Sequence, residues 1–182
     1  YCGSSLQPWQ AFLWRIAGTI LIGEIGWGLI HKKFTKEDLY KINIYFGDKK
    51  YTVDALLDTG NQLFEPVTKK PVIVIEKNKL LHILPAAWGR LLTQNNLMPD
   101  DDMLKDDYWA ARFALIPFHT VNNTGFLYSW RADYVEIEKN GQFLTAYQNP
   151  VIAASHQAFS GGPFEALLPG KILAMAENTR TR

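Results

Sequence analysis

The chain has 182 residues, a length that accommodates one compact domain with an appendage. Of these residues 47% are hydrophobic and 20% are charged, a composition that excludes intrinsic disorder. Its formal net charge of +1 provides no bulk attraction for nucleic acid, which we exclude as a partner. The single cysteine excludes an internal disulfide, and the four widely separated histidines lack the short spacings of a zinc site. We expect no metal, and we predict no cofactor.

The first element in chain order is an apolar segment, residues 11–30, which is the one candidate for a membrane-spanning helix. Its length matches about 30 Å of hydrocarbon at the rise of an α-helix, and tryptophans lie near both ends, as in an interfacial aromatic belt. Two charged residues within it, Arg15 and Glu24, favour the alternative of a buried or interfacial helix in a soluble domain. We predict one transmembrane helix over about residues 11–30.

Basic residues follow this segment directly. Lys32 and Lys33 stand just after it, and by the positive-inside rule they place the rest of the chain in the cytoplasm. We therefore predict a protein of the cell membrane with two parts. Residues 1–38 form the C-terminal end of a membrane domain and a linker, and residues 39–182 form a cytoplasmic domain.

The pattern changes after the linker to the period-two alternation of β-strands. Residues 42–46 alternate apolar with polar side chains, residues 47–50 have the composition of a turn, and residues 51–57 form a second strand, which together predict a β-hairpin. Residues 71–76, PVIVIE, are rich in β-branched side chains and predict a third strand.

The remainder of the chain is predicted to be mostly strand with a minor helical part. Residues 81–94 are helical in part, and residues 99–107 form an acidic surface loop. Two further strands, residues 113–117 and 134–137, are separated by a turn-rich segment, and residues 164–176 complete a strand and begin a short helix. The cytoplasmic domain is therefore predicted to be mainly β.

One short motif carries chemistry. The apolar strand ends directly in Asp58-Thr59-Gly60. Asp58 supplies a carboxylate, Thr59 fixes the turn through its hydroxyl, and Gly60 allows the backbone to approach the carboxylate closely. In a dry core two facing carboxylates share one proton, so that one acts as general base on a water and the other as general acid toward a scissile carbonyl. The motif predicts an aspartic peptidase, and the alternative is a plain turn.

The sequence around this motif resembles the active-site signature of the sporulation sigma-E factor-processing peptidases of endospore-forming bacteria. The similarity extends over residues 54–76, in which Asn61 follows the glycine. Residues 115–118 resemble that family's strand near the flap, and residues 166–169 resemble the apolar residues that back its active-site loop. Retropepsins usually have a glycine directly after that apolar pair, whereas this chain has Pro169.

This resemblance implies a fold, an activity and partners. The fold is a retropepsin-like acid-protease half-barrel, mainly β, preceded by one transmembrane helix, with the flap within residues 119–125. The activity is that of an aspartic endopeptidase that activates a sporulation sigma factor precursor, pro-sigma-E, by removing its N-terminal prosegment. Asp58 is the catalytic residue, and Thr59, Gly60 and Asn61 complete the active-site loop. The partners are the precursor, the membrane and an activating signalling protein from the forespore.

The number of catalytic residues predicts the assembly. Pepsin-like enzymes need two catalytic aspartates, but this chain has one Asp-Thr-Gly and no Asp-Ser-Gly. We therefore predict a homodimer to which each subunit contributes one Asp58. The alternative for the whole chain is a non-catalytic, membrane-bound binding module that retains the acid-protease fold, and the intact motif argues against it.

Overall fold

The structure, a computed structural model, describes residues 38–94, 98–119, 124–159 and 162–180. The strands within these ranges are β1 (Leu39–Phe46), β2 (Lys49–Asp58), β3 (Val72–Glu76), β4 (Phe113–His119), β5 (Thr124–Arg131), β6 (Tyr134–Lys139), β7 (Gln142–Gln148), β8 (Val151–Ser155) and β9 (Ala166–Pro169). The helices are α1 (Lys77–Ile83), α2 (Ala86–Gln94), α3 (Asp101–Leu104), α4 (Asp107–Ala110) and α5 (Gly170–Arg180). The prediction of a mainly β protein is confirmed.

The predicted hairpin is present at the start of the described chain. β1 and β2 pair antiparallel, with Leu39 opposite Leu56 and Phe46 opposite Lys49. The turn between them has Gly47 at a φ of +56°, a conformation that glycine adopts at little cost. The predicted third strand, the helical segment, and the C-terminal strand with its helix are also confirmed, as β3, as α1 with α2, and as β9 with α5.

The nine strands form one sheet in the order β4-β5-β8-β3-β9-β2-β1-β6-β7. β2 pairs parallel with β9 and β3 pairs parallel with β8, whereas the other neighbours are antiparallel. β9 is thus inserted between β2 and β3. This insertion brings a strand from near the C-terminus against the end of the strand that carries Asp58.

Apolar side chains pack on both faces of the sheet. On β3, Val72 and Val74 belong to one cluster whereas Ile73 belongs to the other, as the two-residue period of a strand requires. The larger cluster contains Trp88 and Trp130, which are fully buried and meet edge to face with ring centroids 6.1 Å apart. Because both of its faces are covered, β3 has a continuous apolar sequence instead of an alternating one.

The prediction of an acidic loop over residues 99–107 is wrong in its secondary structure. The acidic residues are exposed, but the segment forms α3 and enters α4. The carboxylate of Asp100 accepts a hydrogen bond from the N–H of Met103 (2.9 Å), and that of Asp106 accepts one from the N–H of Trp109 (3.4 Å). Met103 and Trp109 are buried. The two aspartates therefore cap short helices that each bury one apolar side chain.

The predicted membrane span, residues 11–30, lies outside the described residues. Within the ranges that are described, no helix is both long enough and apolar enough to cross a membrane. The span, and the division of the chain between residues 38 and 39, stay predictions.

Candidate active site

Asp58 is the last residue of β2 and is half-buried. The chain then turns back on itself, and the N–H of Asn61 donates to the C=O of Asp58 (3.3 Å). The N–H of Gly60 donates to the Oδ1 atom of the Asp58 carboxylate (3.1 Å). A hydrogen bond from a backbone N–H to a carboxylate is charge-assisted and fixes the carboxylate relative to the main chain. The sequence-predicted residues Asp58, Gly60 and Asn61 are therefore brought together in one turn.

The end of β9 lies directly behind this turn. Pro169 stands opposite Asp58 in the parallel register of β9 and β2. At the next residue, Gly170, an added Cβ would lie 3.5 Å from the Cγ2 atom of Thr59 and 3.6 Å from its Cα atom. Residues 166–169, which the resemblance assigned to the backing of the loop, therefore occupy that position. Thr59 itself is exposed.

Asn61 connects the turn to β3. Its side-chain amide donates from Nδ2 to the C=O of Val72 (3.2 Å), and its Oδ1 atom accepts from the N–H of Leu63 (2.9 Å). Val72 is the first residue of β3 and is fully buried. The amide thus ties the residues that follow Asp58 to a rigid strand, a role that the sequence motif did not indicate.

Asp58 lines an open cleft of about 750 Å³. Most of the walls are apolar, and the side chains that form them come from several segments of the chain: Leu63, Val74, Phe118, Leu127, Phe159 and Leu167. Among the described lining residues, Asp58 is the one carboxylate. A carboxylate at the edge of an apolar cleft can act on a polypeptide whose side chains occupy that cleft.

Glu65 is a buried carboxylate next to the cleft. It is 3% exposed, and its Oε2 atom accepts hydrogen bonds from the N–H of Thr68 (2.5 Å) and from the Thr68 hydroxyl. Burial raises the pKa of the Glu65 carboxyl, but these hydrogen bonds outweigh it and hold the pKa below its ordinary value. The carboxylate therefore holds the turn of residues 65–70 closed and has a structural role.

Two other aspartates lie away from the cleft. Asp54, four residues before Asp58, lines a separate cavity of about 340 Å³. Asp133 accepts hydrogen bonds from Arg112 (2.6 Å) and from the N–H of Gly47 (2.6 Å). Burial raises the pKa of Asp133, but these hydrogen bonds outweigh it and lower the pKa below its ordinary value. Neither side chain lines the cleft beside Asp58.

In the part of the chain that the structure describes, no three His, Cys, Asp or Glu side chains are grouped so as to hold a metal ion.

Residues 4–172 match the model of the Peptidase_U4 family, described as Sporulation factor SpoIIGA. A protein of Bacillus thuringiensis subsp. kurstaki, provisionally named a sporulation sigma factor-processing peptidase, is 25% identical over 78% of this chain and 88% of its own length. The sporulation sigma-E factor-processing peptidase of Bacillus subtilis is 26% identical over 79% of this chain, and that of Priestia megaterium is 22% identical over 80%. The chain spans about half of these last two relatives, 47% and 48% of their lengths.

Proposed function

This chain belongs to the Peptidase_U4 family, described as Sporulation factor SpoIIGA, and we propose that it is an aspartic endopeptidase that activates a sporulation sigma factor precursor. Two relatives are named sporulation sigma-E factor-processing peptidases, and these names suggest pro-sigma-E as the substrate. One observation carries the proposal of aspartic catalysis. Asp58 is the one carboxylate among the described residues that line the apolar cleft, and Gly60 holds it there.

A homodimer would supply the second carboxylate. Within one chain Asp54 and Asp133 lie elsewhere, and the aspartates of α3 and α4 do not line the cleft. The loop that holds Asp58 is accessible, since Thr59 and Gly60 are both exposed. A two-fold axis beside this loop would bring two copies of Asp58 face to face.

In the proposed mechanism the two Asp58 carboxyl groups share one proton. The unprotonated carboxylate takes a proton from a water molecule as the water oxygen attacks the scissile carbonyl carbon, and the protonated group donates its proton to the carbonyl oxygen. The resulting gem-diol then breaks its C–N bond. The first carboxyl group donates a proton to the leaving nitrogen, the second accepts one from a diol hydroxyl, and the dyad again holds a single proton.

We further propose a retropepsin-like fold for the described domain. Its support is the arrangement of three strands at the site, with β9 inserted between β2 and β3 and its end packed behind the Asp58 turn. Membrane anchoring through residues 11–30, a cytoplasmic catalytic domain and activation by a signalling protein from the forespore belong to the same proposal, and they rest on the sequence and the resemblance.

A paired substitution tests the catalytic role. Asp58→Asn keeps the shape of the side chain but removes the ionisable group, so it should abolish cleavage of the precursor co-expressed with the full chain. Asp54→Asn, in the same strand and away from the cleft, is the matched control and should leave cleavage at the wild-type level. N-terminal sequencing of the product identifies the cleaved bond. Substantial cleavage by Asp58→Asn would refute the aspartic mechanism and leave the binding-module alternative or another catalytic residue.

A mixing experiment tests the dimer. Excess Asp58→Asn chains added to wild-type chains should inhibit cleavage, because mixed dimers hold only one ionisable catalytic carboxyl group. Specific activity should also fall on dilution below the dimer dissociation constant by mass action. Full specific activity from a demonstrably monomeric chain would contradict the dimer and require a second carboxylate from the same chain.

A further inference from the structure

A second, smaller cavity of about 270 Å³ lies beside the Asp58 cleft. Its lining includes three apolar or aromatic residues, Leu92, Phe126 and Tyr128, and one ammonium-bearing residue, Lys77. Phe126 is 49% exposed, so its ring is open to contact with a ligand. No carboxylate is among the described lining residues, so Lys77 has no acidic counterpart inside the cavity.

The two cavities share lining residues at the end of one strand. Along β5, Leu127 lines the Asp58 cleft whereas Phe126 and Tyr128 line the second cavity, so the cavities open on opposite faces of the sheet. Ser155 and His156, at the end of β8, line both cavities. These two residues therefore form a rim between the Asp58 cleft and the second cavity.

The rim is held in place from three sides. The Nε2 atom of His156 lies 3.0 Å from the C=O of Phe126, which ties the rim to β5. The hydroxyl of Ser155 is hydrogen-bonded to the backbone of Gln157. The N–H of Phe159 donates to the Oε1 atom of Glu76 (2.8 Å), which ties the residues after the rim to β3. These hydrogen bonds fix the rim before a ligand binds, which lowers the entropic cost of binding a chain across it.

From this geometry we infer that the second cavity is an outlying subsite of the peptidase that selects an acidic side chain of the substrate. Lys77 provides the opposite charge, and the rings of Phe126 and Tyr128 cover the aliphatic part of an aspartate or glutamate side chain. The inference rests on the proposed endopeptidase function, because it names a determinant of specificity for that site. The lining residues shared with the Asp58 cleft support the assignment of the cavity to the substrate polypeptide.

The test is a binding measurement on the full chain carrying Asp58→Asn, in which turnover is blocked and the second cavity is unchanged. The ligands are fluorescein-labelled peptides of alanine and serine, each with a central Leu-Leu pair and a single Glu. From one peptide to the next, the Glu is moved outward by one position, on each side of the Leu-Leu pair. Each peptide has a twin with Gln at the same position. We expect one position at which the Glu peptide binds about two- to fivefold more tightly than its Gln twin at low salt, the range measured for exposed ion pairs.

Substitutions at Lys77 separate charge recognition from a loss of structure. Lys77→Gln should abolish the preference for Glu while leaving the affinity of the Gln twin unchanged, and Lys77→Glu should invert the preference. Lys49→Gln, an exposed lysine next to the β1–β2 turn that lines neither cavity, should retain it. The preference should also weaken as salt is raised.

Several results would overturn the inference: no position with a preference for Glu, a preference that survives Lys77→Gln, or an equal loss of affinity for both twins in that variant. These results are separate from failure of the proposed function, which is measured as cleavage by the wild-type chain. A chain that binds with a preference dependent on Lys77 but cleaves nothing would support the subsite and refute the peptidase.

Discussion

The side chain of Asn61 offers the sharpest test of how the site is built. Asn61→Ala removes two hydrogen bonds, the one from Nδ2 to the C=O of Val72 and the one from the N–H of Leu63 to Oδ1. The first connects the turn after Asp58 to the start of β3, and the second holds the turn from Asn61 to Leu63. The substitution leaves the carboxylate in place, and because Asn61 itself lines the cleft, an effect through the position of Asp58 is recognised by a change in kcat and not in KM.

The expected magnitude follows from these two contacts. A hydrogen bond within a protein contributes about 0.5–1.5 kcal/mol net, so the loss of both should lower the free energy of unfolding by about 1–3 kcal/mol. The effect on catalysis should be of similar size in free energy. A displacement of about 1 Å in a reacting group can cost about a hundredfold in rate, or about 2.7 kcal/mol, and the loss should appear in kcat more than in KM because the proposed role of Asp58 is in the transition state.

Two measurements on the full chain check this prediction. Urea denaturation followed by near-UV circular dichroism gives the change in stability, and steady-state cleavage of the precursor gives kcat and KM. Asn78→Ala is the matched control, since Asn78 is exposed on α1 and away from the cleft, and it should change stability by less than about 0.5 kcal/mol. If Asn61→Ala has the stability and the kcat of the wild type, the amide does not position the catalytic turn.

Three further predictions concern the core, an ion pair and the catalytic turn. Trp88→Ala should lower the free energy of unfolding by about 3–5 kcal/mol, whereas Met98→Ala, at a side chain 68% exposed, should change it by less than about 0.5 kcal/mol; equal losses in urea denaturation would contradict the packing. Asp133→Asn should cost about 1–3 kcal/mol at neutral pH. Although burial raises the pKa of Asp133, hydrogen bonds from a backbone N–H and from Arg112 lower it on balance. The greater stability of the wild type over Asp133→Asn is therefore present above the unfolded pKa of about 3.9, and it is lost as the pH falls through the folded pKa. Denaturation midpoints measured from neutral to strongly acidic pH check this, and a difference that persists undiminished in acid would refute it. Thr59→Ser should retain most cleavage because the hydroxyl survives, Thr59→Val should lose it, and equal activities would exclude a role for the hydroxyl.

The parts of the fold that the sequence predicted are those encoded by local patterns. The β1–β2 hairpin shows its alternation and its glycine turn within a short stretch, and β3 shows a run of β-branched residues. A missed hairpin had an equally local signal. Asn140 and Gly141 join β6 to β7 with φ values of +52° and +76°, and Asn-Gly between two strands is a strong indicator of such a turn.

Other elements had no comparable local signal. The centres of β5 and β8 lack the alternation that marks a half-exposed strand, because residues 127–130 and 151–154 are buried in succession. The charges of Asp100 and Asp106 indicate only exposure and therefore favour a loop. Their use as helix caps depends on Met103 and Trp109 finding places in the core, which is a tertiary effect.

The candidate site likewise has a part that the local sequence predicts and a part that it does not. The turn of residues 58–61 could be predicted because its chemistry is contained in adjacent residues. The cleft could not, since Leu127 and Leu167 reach it through the pairing of strands that are distant along the chain. The position of β9 between β2 and β3 is a long-range property, and no pattern within either segment reports it.

The turn that carries Asp58 is exposed, and this exposure connects the proposed dimer to the proposed aspartic mechanism. In the part of the chain that the structure describes, the Asp58 carboxylate is half-buried beside exposed Thr59 and Gly60, so water screens its charge, and no second carboxylate lines its cleft. Bringing two such groups together and excluding water costs free energy, because like charges in a low dielectric repel. In the proposed dimer the interface between the subunits would offset that cost, and sharing one proton between the two carboxyl groups would reduce it. Confinement of the chains to a membrane surface would favour the pairing through effective concentration, so the proposed anchor and the proposed dyad would act together to restrict cleavage to the membrane.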